Sequence, residues 1–128
     1  MTMERAAEVF AVVNLAVIGV SHIAQPRVWV EFFIFLRERG HAGVFFNGML
    51  SLTFGSILVA FHNVWTGWPM TVTLLGWAQV LKGVHSLVVP SLGLKTMMRV
   101  SLDRAWEFQV AGGALVALAA LIAWTWTR

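Results

Sequence analysis

The sequence predicts an all-α integral membrane protein with four transmembrane helices, and three observations point there. Of its 128 residues, 59% are hydrophobic and 12% are charged. An ordinary soluble domain carries roughly 25% charged residues, so too little polar surface remains to cover a globule in water. The apolar residues gather into four runs, Ala6–Ala24, Val44–Phe61, Met70–Val89 and Phe108–Trp126, each near the roughly 20 residues that cross a bilayer core. The basic residues collect in the connections between these runs. Lipid offers no partner to backbone N–H and C=O groups, so each run is helical. The whole chain, 1–128, reads as one transmembrane domain.

The first run begins behind "MTMERAAEVFAVVNLAV", which lacks the basic start and small-residue cleavage site of a signal peptide and reads as a permanent helix. Glu4 and Glu8 lie at its positive N-terminal end, where the macrodipole favours acids. Pro26 then opens "PRVWVEFFIFLRERGH", in which Trp29, Phe32, Phe33, Phe35 and Leu36 precede Arg37, Glu38 and Arg39. That pattern predicts a short helix lying in the membrane interface. After the second run, His62 and Asn63 are expected to cap the helix and hold the turn before Trp65 and Pro69. The third run carries Trp77 near its middle, read as ordinary packing. Beyond Pro90, "PSLGLKTMMRVSLDRAW" sets Lys95, Arg99 and Asp103 at i, i+4 spacing, with Leu94, Met98 and Leu102 on another side. This predicts a second interfacial helix. Trp65, Trp68, Trp124 and Trp126 would line one interface and Trp29 and Trp106 the other, where amphipathic rings prefer to sit.

Charge sets the threading. Arg27, Arg37, Arg39, Lys95, Arg99 and Arg104 belong to the first and third connections, with Lys82 just inside the helix leading to the third; only Arg5 and Arg128 lie on the other side. Seven against two places the first and third connections, with their interfacial helices, in the cytoplasm and both termini in the periplasm. The basic groups are expected near anionic headgroups, and a charge confined to such connections is no nucleic-acid signature. With no cysteine, there is no disulfide framework and no thiolate metal site.

The chain also repeats itself. "GVSHIAQP" (19–26) and "GVHSLVVP" (83–90) lie 64 residues apart, half the 128-residue length. Gly48 then matches Gly112, Leu52 matches Val116 and Ile57 matches Leu121. Repeat units 1–64 and 65–128 would each cross twice, giving two parallel-repeated helical hairpins related by an axis along the membrane normal. Gly19, Pro26, Trp29, Leu36, Arg37, Gly40 and Gly48 resemble the pattern of the YjeT-like two-helix bacterial inner-membrane proteins. The second half keeps Gly83, Pro90 and Gly112 but has Gly93 where Trp29 would recur. "HNVWTGW" and "TLLGWAQVLKG" also resemble uncharacterised four-helix bacterial membrane proteins. These resemblances imply a small helical fold in a bacterial inner membrane and supply no activity.

Few residues suggest chemistry. Gln79, Lys82 and Ser86 share a face of the third run, with His85 three residues beyond Lys82. An intramembrane Lys marks a functional site or snorkels to the headgroups. Asn47, Ser51 and Gly55 form a small polar seam on the second run, and Asn14 and Gln109 are polar positions on the first and fourth. His22 and His85 end at similar depth and are the candidates for a haem or pigment, but the repeat matches His22 to Ser86, not to His85. No cofactor and no metal site is expected, and no nucleophile–base set suggests an enzyme. Two functions follow: a non-enzymatic accessory or scaffold subunit that meets a membrane partner or its own copies through helix faces, or a small oligomeric channel or carrier using the Lys82 face. The absence of a carboxylate central to any run argues against proton coupling.

Overall fold

The computed structural model describes residues 1–127, so Arg128, one of the two basic residues assigned to the outer side, lies outside the described residues. Six α-helices and one 3-10 turn form the chain, with no strand among the described residues. Helix α1, Met3–Ala24, is capped by Thr2, whose Oγ1 accepts from the Arg5 N–H at 3.0 Å. It stops because a residue before proline is driven out of the helical region: Gln25 has φ −130° and ψ 54°, and Pro26 starts α2, Pro26–Glu38, where its missing N–H costs nothing. Gly40, at φ 61°, turns the chain into α3, His41–Phe61. Helix α4, Met70–Val88, repeats the ending of α1. Val89 adopts φ −128° and ψ 69°, and Pro90 starts α5, Pro90–Met97, bent from α4 by 107°. The residues before both prolines donate four residues back, Gln25 to Ser21 and Val89 to His85, each at 2.8 Å. A 3-10 turn, Leu102–Arg104, leads to α6, Trp106–Thr125.

The expected second interfacial helix is shorter than its charge spacing implies. α5 ends at Met97 and Ser101 is extended (φ −149°, ψ 158°), so Lys95, Arg99 and Asp103 do not share a helix face. The cause lies in α2. Arg37 Nη1 donates to the carbonyls of Met97 (3.3 Å), Met98 (3.3 Å) and Val100 (2.6 Å), supplying the partner that a continuing helix would provide to its last C=O groups. Arg37 is therefore a clamp between α2 and the end of α5. Arg99 pairs instead with Glu107, at 3.0 Å.

The bundle is built from two helix pairs, α1 on α6 and α3 on α4. Glycines let each pair close. A Cβ on Gly19 would lie 2.8 Å from the Gly112 carbonyl and 2.8 Å from Val116; one on Gly83 would lie 2.8 Å from the Gly48 carbonyl and 2.7 Å from Leu52. The reverse views match as well: Gly112 faces Gly19, His22 and Ile23, and Gly48 faces Gly83, Ser86 and Leu87. Every residue in one crossing is 64 positions from its counterpart in the other. Leu58 and Ile122, another such pair, share the buried core with Ala7, Ala11, Leu15 and Val72.

Three helical segments, Met3–Ala24, His41–Phe61 and Leu102–Thr125, are each long and apolar enough to cross a membrane; α4 meets that measure only together with α5. Yet α4 lies antiparallel along α3, because Gly48 meets Gly83 and Gly55 meets Gly76, seven residues on along one helix and seven back along the other. The outward faces are apolar: Val17 and Leu81 are each 65% exposed and Val88 is 72% exposed. Trp77, read from the sequence as packing, is 41% exposed on this outward surface.

Candidate functional site

Both proline bends lie at the basic end of the bundle. There α2 packs on α6 and α5 on α3, as the 64-residue offset would have it. The two halves nevertheless fill the space differently. In the first, the His22 ring stacks on Trp29 (centroids 4.1 Å apart, 26° between planes) and contacts Phe108 at 5.5 Å, while Phe33 lies 6.3 Å from Trp29 and 5.6 Å from Phe108. His22 Nδ1 donates to the Ile18 carbonyl at 2.8 Å, and the Trp29 indole N–H donates to Ser21 Oγ at 2.8 Å. Trp29 is thus half-buried against the protein. The counterparts of His22, Trp29, Phe33 and Phe108 are Ser86, Gly93, Met97 and Val44. All four are smaller, and all four line a cavity of about 510 Å³. Where the first half holds an indole, the second holds open space. A Cβ on Gly93 would come 2.6 Å from Val44 Cγ1, so α5 runs close under α3 there.

The sequence-predicted polar face divides on this cavity. Asn47, Lys82, His85 and Ser86 line it; Gln79, Asn14 and Ser51 do not. The Asn14 side chain donates to the Phe10 carbonyl of its own helix at 2.8 Å, Ser51 is buried, and Gln79 lies against Gly55. Gln109, another polar position, donates to the Ile23 carbonyl at 3.3 Å. The side chains of Lys82 and His85 have no hydrogen-bond or ion-pair partner among the described residues. His85 stands at the position that Ser21 holds in the first half, where Ser21 accepts the Trp29 indole N–H. No hydrogen bond or ring contact joins His22 to His85: one is closed inside the aromatic stack and the other borders the cavity. Among the described residues no group of three or more His, Cys, Asp or Glu is placed to hold a metal ion.

At the other end, near both termini, the fold assembles a polar cluster that the sequence reading divides into unrelated caps. His62 does cap α3 through its backbone N–H, bonded to Leu58 O, but its side chain is fully buried. Nε2 lies 3.1 Å from Glu8 Oε1 and Nδ1 lies 2.8 Å from Thr73 Oγ1. The second carboxylate oxygen of Glu8 accepts from the Trp126 indole N–H at 2.8 Å and pairs with Arg5 Nε at 3.2 Å. Glu8, placed by the sequence near the N-terminal end of the first helix, is 7% exposed. The offset held the one available signal: His62 and Trp126 are 64 residues apart, and each takes one oxygen of the same carboxylate. Asn63 plays a separate part, accepting from the Trp65 indole N–H at 2.7 Å.

Comparison with protein-family models, with curated proteins and with solved structures returned no match.

Proposed function

We propose that the chain is a four-span protein of the bacterial inner membrane, with both termini periplasmic and the proline bends cytoplasmic, and that it works by binding a small amphiphile without catalysing a reaction. Four spans follow if α3 crosses, because α4 runs antiparallel along it. Orientation follows the excess of Lys and Arg at the bends. The resemblance of the first half to YjeT-like proteins agrees with that location, and the offset contacts agree with a parallel repeat whose long helices pair across the halves, α1 with α6 and α4 with α3, and not within each expected hairpin.

The observation that carries the binding reading is the broken symmetry at the basic end. Substituting Gly93 for the counterpart of Trp29 leaves a cavity within the roughly 300–1,000 Å³ range of small-molecule sites. Its walls include Phe33, Val44, Met97 and Phe108, and its cation is Lys82. An apolar body with one acidic head, a carboxylate or a phosphate, satisfies both: the body takes the place of the indole, and the head pairs an ammonium that is costly to leave alone in a membrane. Of the two functions the sequence suggests, this favours the carrier-like one over a scaffold.

A fluorescent fatty acid titrated into detergent-solubilised protein tests the reading. Binding should weaken about tenfold with Lys82→Met, a loss of about 1.4 kcal/mol, and disappear with Thr96→Trp, which adds an indole at the cavity wall, while helicity persists. Equal binding by all three proteins would contradict it. No binding by any of them, with a second membrane protein retained in native mass spectrometry, would favour the scaffold.

A further inference from the structure

The buried cluster at the terminal end fixes where its hydrogens must be. Thr73 has one hydroxyl hydrogen and room to accept two. Its oxygen lies 2.7 Å from the Val64 carbonyl oxygen, 3.2 Å from the Val64 N and 2.8 Å from His62 Nδ1. Two oxygens 2.7 Å apart require a hydrogen between them, so the hydroxyl donates to Val64 O. It then accepts from Val64 N–H and from His62, and Nδ1 carries a hydrogen. The opposite nitrogen, Nε2, still faces Glu8 Oε1 at 3.1 Å. That contact needs a hydrogen of its own. It sits either on the carboxyl, donating to a neutral imidazole, or on Nε2 of an imidazolium, donating to a carboxylate. Both states hold one proton more than a neutral histidine beside a carboxylate.

We propose that Glu8 and His62 together bind one exchangeable proton, and that this proton latches the two helix pairs at the terminal end. The placement of the neighbours supports it. Arg5 and Trp126 hold Glu8 to the α1–α6 pair, and Thr73 holds His62 to the α3–α4 pair. The Nε2···Oε1 contact bridges them. With the proton removed, a nitrogen lone pair meets a carboxylate oxygen, Glu8 stays with Arg5 and Trp126, and the bridge parts. Glu8 also borders a second cavity, of about 490 Å³, with Arg5, Trp68 and Trp124, which gives the proton a way in and out. Among the described residues, the other charged groups at this end are Arg5, 3.2 Å from Glu8; Glu4, exposed one turn earlier; and the exposed amino terminus. Thr73 and Trp126, which reach the pair from α4 and α6, bear no charge.

Nitrogen NMR of histidine-labelled protein in micelles reads the ring, and spin labels at Met3→Cys and Thr66→Cys read the gap between the helix pairs. In the latched state His62 should carry hydrogen on Nδ1. The Nε2 signal and the label separation should change together in one single-proton step, the open-to-latched ratio moving tenfold per pH unit through it. Glu8→Gln should stay latched across the same range, because its amide N–H donates to Nε2 while its carbonyl accepts from Trp126. A latched state with hydrogen on Nε2 and none on Nδ1 would overturn the proposal, as would a Glu8→Gln protein that opens with pH as the parent does.

Discussion

Trp29 and Gly93 occupy equivalent positions in the two halves and have opposite consequences. The Trp29 indole fills the space beside His22 and Phe33, and Gly93 leaves the matching space open. Trp29→Ala should therefore create a second cavity and cost about 3 kcal/mol, the low end for a large aromatic side chain because the indole is only half-buried; thermal denaturation in detergent measures it. The mismatch itself was legible, since Gly93 interrupts the repeat in plain sight. Its result was not, because an open volume depends on Phe33, Val44 and Phe108 arriving from three other helices. The burial of Glu8 was not legible for a related reason. Nothing near its position one turn into a helix announces that His62 and Trp126 will close over it.

The helices themselves were largely legible because their signals are local. Runs of apolar residues set their lengths, and Pro26 and Pro90 set the bends. α5 escaped this reading: its apolar and charged spacing continues helically to Asp103, but Arg37 reaches across to take the carbonyls at Met97, Met98 and Val100. Arg37→Lys should loosen that end, because all three contacts come from Nη1, and a lysine amine sits one atom nearer the backbone. Hydrogen exchange at residues 98–101 should then rise, with little change in α4. Helix pairing gives a sharper contrast. A methyl on Gly112 would meet the Gly19 carbonyl at 2.5 Å and the His22 Cβ at 2.7 Å, whereas one on Gly113 meets nothing within 4 Å. Gly112→Ala should destabilise by about 1–3 kcal/mol through overpacking. Gly113→Ala, one residue away, should be neutral or stabilising by up to about 1 kcal/mol, since it only removes a flexible residue from a helix interior. Paired melting curves in one detergent would show the difference.

At the scale of the whole molecule, two helix pairs carry matching glycine crossings 64 residues apart, and all large connections with excess positive charge lie at one end. That end holds the cavity, and the end with the termini holds the Glu8–His62 contact. The account therefore rests on four crossings and their direction. A chain without cysteine allows the direct measurement: single cysteines at Met3, Arg39, Thr66, Lys95 and Thr127, challenged with a membrane-impermeant thiol reagent in intact spheroplasts and again after lysis. The account predicts labelling at Met3, Thr66 and Thr127 in intact spheroplasts, and at Arg39 and Lys95 only after lysis. Labelling of Met3 and Thr127 from opposite sides would mean that α4 does not cross, and the inverse pattern at all five positions would reverse the orientation; either result contradicts it.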